Sequence, residues 1–308
     1  MSRVLYAGFD LGGTQLKYGL IDDEGTVVFK DKTPTPVTIA GLIELIRSVW
    51  IELKAKGGAP VAAAGLGFPG IYSLKDRRVL QSPNSAGLDE FDLAPALAKA
   101  IDAPHWVNND ANLAAYGEWA FGAGRRAGSL VLLTVGTGIG SGIILDGELW
   151  MGACGFAGEL GHVVVNPEGE TCNCGVRGCL ETETSAPKVI KNYLAFSGRT
   201  ESVTAEEVYL RAKVGDSDAR QSFAQAGYYL GIGLGIVINF LNPEKILLGG
   251  GVMTTGEYLL NPAVAEARRR CFKASFACCS IEKAVLGNDA GLVGAASWAR
   301  SRLAKLKA

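Results

Sequence analysis

The sequence has almost no net charge, because its 30 lysine and arginine residues face 31 aspartate and glutamate residues, which leaves −1. Proteins that bind nucleic acid or lie on an anionic membrane carry a surplus of basic residues on one face. The charge balance therefore predicts neither nucleic acid nor a membrane surface as a partner.

Targeting and membrane signals are also lacking. The first apolar segment begins at Val4, after only Met-Ser-Arg, which is too short for a signal peptide. No apolar run approaches the ~20 residues that a helix needs to cross a bilayer. The seven cysteines are an odd number, which disfavours a disulfide framework and favours reduced thiols. We therefore expect a cytoplasmic protein.

Glycine, in contrast, is abundant, with 41 among 308 residues. Several glycine clusters follow apolar, strand-like runs, which is where α/β proteins bind ligands. Amphipathic helices lie between these runs, such as one predicted to begin after Thr38 and to stop at Gly57. A chain of this length buries a large core and is expected to form two domains. The pattern predicts an α/β fold.

Two predicted β-hairpins have glycine and threonine at their tips. The tips consist of Gly12, Gly13 and Thr14 and of Gly136, Thr137 and Gly138. Backbone N–H groups in such turns can hold phosphate oxygens because no side chain covers them. Asp10 lies beside the first tip and can attract Mg2+, and Lys17 adds a positive charge. Asp10 alone would be an ordinary turn residue, but the second, similar tip favours two half-sites for one nucleotide.

Three cysteines and a histidine follow the second hairpin and form a complete tetrahedral ligand set for zinc. The set is His162, Cys172, Cys174 and Cys179. Glycines between the cysteines permit the tight turns that bring the sulfur atoms together. Three buried thiols are the alternative, but the polar residues around them disfavour it. Four protein ligands leave no position for water, so the zinc would be structural.

Asparagines crowd around Asp110, where a predicted strand ends and a helix begins. An aspartate at this place can be an ordinary helix cap. Three asparagines and an aspartate together are more typical of a polar cleft. Asn84 lies in another polar loop, where a sugar contact and a plain turn residue fit equally well.

Three motifs, in this order, resemble the signature of the ROK family, which is named for repressors, open reading frames and kinases. They are Gly-Thr-Gly-x-Gly-x-Gly from Gly136, Ala-Gly-Glu-x-Gly-His up to His162, and Cys-x-Cys-Gly-x-x-Gly-Cys-x-Glu up to Glu181. The resemblance extends from Phe9 to the region of Gly249 and is strongest to bacterial glucokinases. It implies a two-domain actin-like ATPase (ribonuclease H-like) fold with the active site in the interdomain cleft. We expect one domain over 1–120, completed by 290–306, and the other over 121–289.

The resemblance also implies an activity, namely ATP-dependent phosphorylation of the 6-hydroxyl of glucose with Mg2+ and a structural Zn2+. Asp110, in Asn-Asp-Ala-Asn, matches the position of the catalytic base, and Gly250 and Gly251 match an adenosine-binding loop. The implied sugar contacts are Asn84, Asn109, Asp110, Glu159, His162 and Glu181. His162 can serve both zinc and sugar, because its ring has two nitrogens. Relatives of this kind are often homodimers or homotetramers.

Other members of the family leave alternatives open. Fructose, mannose, N-acetylglucosamine and N-acetylmannosamine are alternative hexoses, and polyphosphate is an alternative phosphate donor. A sugar-sensing or structural ATPase without kinase activity is an alternative of another class. The repressors carry a DNA-binding segment ahead of the sugar domain, and we expect none here because the first strand begins by Val4.

Overall fold

The structure, a computed structural model, describes residues 3–73, 75–81, 91–251, 253 and 256–308. Its strands are β1 (Leu5–Leu11), β2 (Gln15–Ile21), β3 (Val27–Pro34), β4 (Val61–Phe68), β5 (Ile71–Ser73), β6 (Arg78–Gln81), β7 (His105–Asn109), β8 (Leu130–Val135), β9 (Ile139–Leu145), β10 (Glu148–Trp150), β11 (Lys245–Gly249) and β12 (Ser280–Lys283). Its helices are α1 (Ile39–Gly57), α2 (Leu93–Ala100), α3 (Asp110–Phe121), α4 (Leu180–Thr184), α5 (Ala186–Ser197), α6 (Ala205–Lys213), α7 (Ser217–Phe240), α8 (Glu257–Arg270), α9 (Lys273–Ala277) and α10 (Ala290–Lys307). Asn84, an expected sugar contact, lies outside the described residues.

The chain divides into two compact units. The first contains Met1–Arg126, Gly142–Gly158 and Val285–Ala308, and the second contains Ala127–Ser141 and Glu159–Ala284. The largest difference from the expected domains is the segment 142–158, which makes its contacts in the first unit, and the short segments 121–126 and 285–289 also belong to that unit.

The sheet of the first unit has the strand order β3-β2-β1-β4-β7. Strands β1, β2 and β3 are antiparallel neighbours, whereas β4 and β7 run parallel to β1. In this register Asp10 is opposite Gly67, and Gly67 is opposite Asn108. The end of β1 and the end of β7 therefore lie at the same edge of the sheet, and they bring Asp10 and the Asn109–Asp110 turn to that edge.

Helix α10 packs on this sheet, although it comes from the far end of the chain. It lies so close that a Cβ atom at Gly8 or Gly65 would collide with a carbonyl of α10. Helix α3 lies against α10 in the same way, with Gly117 next to Gly294. These glycine contacts fix α3, and with it Asp110, relative to the strands of the first unit.

The second sheet repeats the order of the first, as β10-β9-β8-β11-β12. Strands β8, β11 and β12 are parallel, and the tip of residues 136–138 joins β8 to β9. The first three residues of β9 belong to the second unit, and the rest of the strand pairs with β10 in the first unit. Because the strand order is repeated, the two glycine-threonine tips occupy equivalent positions.

Helix α7 corrects one prediction. Among the described residues, this 24-residue helix is the single one long and apolar enough to cross a membrane, whereas the sequence led us to expect none. The fold explains its hydrophobicity, since 56% of its most apolar 18-residue window is buried inside the protein. Gly227 and Gly231 let α8 approach closely, with backbone carbonyl oxygens 2.6 Å from where their Cβ atoms would be. Most of this apolar window therefore belongs to the core of the second unit.

Candidate active site and metal centre

Asp10 is a mostly buried carboxylate beside the first glycine-threonine tip. Its side chain is 16% exposed, and its Oδ2 lies 3.3 Å from Nζ of Lys17. The first turn of α10 packs behind it, so that a Cβ atom at Gly291 would lie 2.7 Å from its Cγ. Burial raises the pKa of Asp10, and the charge of Lys17 opposes that rise. A carboxylate held in this way can attract a divalent cation through its oxygen atoms.

The two tips are closed by similar backbone hydrogen bonds. Gly12 N donates to Gln15 O, and Gly136 N donates to Gly138 O, each over 2.9 Å. Thr14 is exposed, as is Gly13 beside it. Thr137 is exposed in the second tip, and no atom lies within 4 Å of where a Cβ of Gly136 would be. Both turns thus present backbone that a phosphate group can approach.

A third glycine-rich strand end follows β11. Gly250 has φ +88°, and a Cβ atom there would collide with the backbone of Val135. Position 250 therefore requires glycine. Gly251 borders open space. The structure places Gly250 next to Val135, at the end of β8, which leads into the tip of residues 136–138.

The turn before α3 shows that Asn109, not Asp110, caps the helix. Oδ1 of Asn109 accepts hydrogen bonds from the N–H groups of Ala111 (2.9 Å) and Asn112 (3.1 Å). Nδ2 of Asn109 donates to Gly70 O over 3.3 Å. Asp110 is the first residue of α3, and its Oδ1 accepts from Ala111 N over 2.9 Å. Asn109 thus caps the helix, and the carboxylate of Asp110 lies at the helix N-terminus.

Glu118 has a structural role that no sequence motif indicates. Its carboxylate is fully buried, with Oε1 accepting from Leu286 N over 2.7 Å and Oε2 accepting from Ala123 N over 3.0 Å. It ties the end of α3 to the segment that leads into α10. Glu118 could not be singled out in the sequence, because Leu286 is distant along the chain.

The predicted zinc ligands meet in the second unit. The ligand atoms of His162, Cys172, Cys174 and Cys179 all lie within 4.8 Å of one another. Sγ of Cys174 lies 3.6 Å from Sγ of Cys179, and Sγ of Cys172 lies 3.6 Å from Nδ1 of His162. Tetrahedral bonds of about 2.3 Å would separate sulfur ligands by about 3.8 Å. The four residues therefore fit a zinc ion.

Local turns explain why this loop converges. Cys172 N donates to Val176 O over 2.8 Å, and Gly175 N donates to Cys172 O over 2.9 Å. Gly178 has φ +78°, and any Cβ atom there would collide with the carbonyl of Asn166. The motif thus needs glycine at this position to bring its last cysteine back to the others.

The thiols have divergent acidities without a metal. Burial raises the pKa of Cys172 and raises that of Cys179 to about 12. For Cys174 burial is opposed, and outweighed, by hydrogen bonds from Val176 and the neighbouring thiols, so its pKa is lowered. Zinc binds thiolates, so a bound ion would have to displace the protons of the two buried thiols.

His162 turns its two nitrogens in different directions. Nδ1 faces Sγ of Cys172, and Nε2 lies 4.0 Å from Oε2 of Glu159. Burial raises the pKa of Glu159, His162 lowers it, and the charge of Glu181 raises it further. The ring can therefore face a metal with one nitrogen and the polar groups around Glu159 with the other.

Glu181 connects the second tip to the cysteine cluster. Its Oε2 accepts from Ile139 N over 2.8 Å, immediately after the tip, and its Oε1 lies 3.7 Å from Sγ of Cys172. One carboxylate thus contacts both the second glycine-threonine tip and the cysteine cluster.

A buried ion pair that no sequence motif indicates supports the same loop. Glu183 is 1% exposed, its Oε2 lies 3.3 Å from Nζ of Lys188, and its Oε1 accepts from Asn166 Nδ2 over 3.1 Å. Lys188 also pairs with Glu170 over 2.8 Å. These contacts hold the cysteine loop against α4 and α5. The sequence does not show which of the two glutamates in this short run, Glu181 or Glu183, forms a buried ion pair.

Comparison with known proteins identifies the family. The profile of the ROK family matches residues 6–302. This chain belongs to the ROK family. The glucokinase of Halalkalibacterium halodurans is 35% identical over 314 residues, which cover 96% of this chain and 94% of that protein. The N-acetylmannosamine kinase of Haemophilus influenzae is 30% identical, with 96% of this chain and 95% of that protein covered.

A solved structure of another ROK protein confirms the fold. The ROK family glucokinase from Streptomyces griseus, in complex with glucose and AMPPNP, superimposes with a TM-score of 0.82 at 32% identity. The match covers 96% of this chain and 99% of that chain. The resemblance drawn from the three motifs is thus confirmed, as is the actin-like ATPase fold that it implied.

Proposed function

We propose that this ROK protein is a sugar kinase that transfers the γ-phosphoryl group of Mg-ATP to the 6-hydroxyl of glucose. The observation that carries the proposal is the edge of the first sheet. There the strand register brings Asp10, a carboxylate suited to a divalent cation, to the same edge as the turn that holds Asp110. A cation-binding carboxylate and a candidate base at one sheet edge are what phosphoryl transfer to a hydroxyl needs.

In this mechanism Asp110 accepts the proton of the 6-hydroxyl as that oxygen attacks the γ-phosphorus. The bond from the γ-phosphorus to the bridging oxygen breaks, and ADP leaves. Phosphoryl transfer demands mainly positioning and neutralisation of charge. The proposed phosphate-binding groups are Asp10 with Mg2+, Gly12, Gly13, Thr14, Lys17, Gly136, Thr137 and Gly138, and the adenosine-binding ones are Gly250 and Gly251.

The proposed hexose contacts are Asn84, Asn109, Asp110, Glu159, His162 and Glu181. Carboxylates, amides and an imidazole suit a sugar because its hydroxyls both donate and accept hydrogen bonds. His162, Cys172, Cys174 and Cys179 would hold Zn2+, which would supply folding stability to the loop and take no part in the chemistry. His162 would be oriented by that ion while its Nε2 stays on the side of Glu159.

Two relatives with different substrates leave the choice of sugar to experiment. The glucokinase of Halalkalibacterium halodurans is 35% identical, and this favours glucose. The N-acetylmannosamine kinase of Haemophilus influenzae, at 30%, makes that sugar the second candidate. A cytoplasmic location and a homodimeric or homotetrameric state remain predictions.

The test is an initial-rate panel with Mg-ATP against glucose, mannose, fructose and the two N-acetylhexosamines. We expect glucose to be preferred by more than about tenfold in kcat/KM, or ~1.4 kcal/mol. A preference for another hexose would replace glucose and keep the kinase. No turnover with any hexose, with either Mg-ATP or polyphosphate as the donor, would refute the kinase and favour a sugar-sensing protein.

Asp110→Asn tests the base directly. We expect kcat to fall roughly 10²- to 10⁴-fold, the usual contribution of general base catalysis, with little change in hexose KM. Asp218→Asn is the matched control, because Asp218 is also a carboxylate in the first turn of a helix. Near-normal kcat in Asp110→Asn would contradict the proposed role.

A further inference from the structure

Two buried asparagines lie beneath the turn that carries Asp110. Asn108 is 2% exposed and Asn112 is 1% exposed. Both side chains are neutral amides, and neither takes part in the proposed mechanism. Buried amides usually satisfy all their hydrogen-bonding groups, so the contacts of this pair are informative.

The orientation of the pair is determined step by step. Oδ1 of Asn108 accepts from the backbone N–H of Asn109 over 2.8 Å, so Nδ2 of Asn108 points the other way, to Sδ of Met151 at 3.1 Å. The same Oδ1 accepts from Nδ2 of Asn112 over 3.2 Å. Turning the amide of Asn112 would set two carbonyl oxygens against each other. The amide of Asn112 is therefore held with its nitrogen toward Asn108.

This orientation has a cost. Oδ1 of Asn112 is buried and has no hydrogen-bond partner among the described residues. A buried acceptor without a partner destabilises the folded state. The site is also tight, since a Cβ atom at Gly142 would lie 3.0 Å from Cα of Asn112. An apolar side chain of the same shape would avoid the cost, so stability alone does not explain an asparagine here.

We propose that Asn112, acting through Asn108, is a positioning residue for Asp110, an inference that rests on the proposed function. The Asn112 amide fixes Oδ1 of Asn108, which fixes the N–H of Asn109 and so the peptide that leads directly into Asp110. Asn109 in turn caps α3 through Ala111 N, the same N–H that Oδ1 of Asp110 accepts. The chain of contacts sets where the carboxylate of Asp110 stands.

Asn112→Leu removes the amide and keeps the branched shape of the side chain. Asn108 Oδ1 still accepts from Asn109 N, so no new buried group loses its last partner, and the acceptor without a partner is gone. We expect the melting temperature to stay the same or rise. We expect kcat to fall about 10- to 100-fold, because small misplacements of a catalytic group are costly. Hexose KM should rise less than about threefold, because Asn109 and Asp110, which are also proposed hexose contacts, keep their side chains in this variant.

The matched control is Asn192→Leu. Asn192 lies on α5, is 7% exposed, and its buried Nδ2 also has no partner among the described residues. The same chemical change there should leave kcat unchanged. Asn112→Ala serves as the second variant if the leucine is not accommodated, because it removes the same amide without adding bulk.

A double-mutant cycle with Asp110→Asn gives the deciding readout. If Asn112 acts by placing Asp110, Asn112→Leu should lower kcat in the wild-type background and have no further effect in the Asp110→Asn background. Equal losses in both backgrounds, an unchanged kcat in both variants, or a lower melting temperature with raised KM for both substrates would overturn the inference. A wild-type protein without turnover would instead overturn the proposed function, and this inference with it.

Discussion

Replacing Gly138 with alanine would test whether Glu181 serves both the glycine tip and the sugar. A Cβ atom at Gly138 would lie 2.5 Å from Oε2 of Glu181, whereas Cβ atoms in proteins essentially never approach another heavy atom within 3.0 Å. The same oxygen accepts the N–H of Ile139 over 2.8 Å. Gly138 does not have a positive φ, so the alanine itself fits the backbone. The carboxylate must therefore move, which lengthens or breaks its hydrogen bond to Ile139 N.

The expected size follows from that hydrogen bond. A hydrogen bond to a charged group contributes about 1.5–3 kcal/mol, and the displaced carboxylate is partly exposed and recovers some of this from water. We therefore expect the free energy of unfolding to fall by about 1–2 kcal/mol, which corresponds to a melting temperature lower by several degrees. If Glu181 contacts the hexose, its displacement should raise hexose KM by about tenfold, which corresponds to ~1.4 kcal/mol.

The assay measures KM for glucose and for ATP separately in each variant. Gly136→Ala is the control, because it lies in the same tip and its Cβ would meet no atom within 4 Å. We expect hexose KM to rise in Gly138→Ala and to stay near the wild-type value in Gly136→Ala. A change in the KM for ATP alone, or an equal rise in hexose KM in both variants, would refute the link between the tip and the sugar.

Two further predictions concern the metal centre and the first tip. Purified protein should contain about one zinc per chain by elemental analysis, and Cys174→Ser should lower both zinc content and hexose affinity. Cys278→Ser is the control and should change neither, because Cys278 is an exposed cysteine outside the cluster. A fully active, zinc-free protein would contradict the metal centre. Because burial raises the pKa of Asp10, its ionisation destabilises the folded chain increasingly as pH rises from about 3.9, the unfolded value, through the folded pKa. Without Mg2+, Asp10→Asn should therefore have a higher melting temperature than the wild type at pH 8 and the same melting temperature near pH 3. The variant should also lose turnover. Equal melting temperatures at both pH values would show that ionisation of Asp10 does not destabilise the fold.

Much of the local structure could be predicted from the sequence. Thr38 caps α1 by accepting from Gly41 N over 3.2 Å, and the strand ending at Asn109 lies where it was expected. The helix stop was nearly right, since α1 ends at Gly57 and the left-handed cap is Gly58. Such features depend on residues within a few positions of one another, so sequence patterns report them well.

The candidate site was predictable to the extent that its groups lie in short motifs. The four metal-ligand candidates come from one loop, and its glycines determine the turns that let them meet. The cap at the start of α3 was not predictable, because Asn109 and Asp110 are adjacent and both suit that role. The three-dimensional course of the turn decided it in favour of Asn109.

The family, the α/β fold and the candidate site residues could all be predicted from the sequence, because each depends on the spacing of residues that are close together along the chain. Contacts between side chains that are distant along the chain became visible in the folded structure. It placed Glu181 on the backbone of Ile139, turned Nε2 of His162 toward Glu159 and buried Asn112 against Asn108. It also placed Glu118 on the backbone of Leu286. These contacts depend on strand register and helix packing, which join distant parts of the chain and leave no pattern in neighbouring residues.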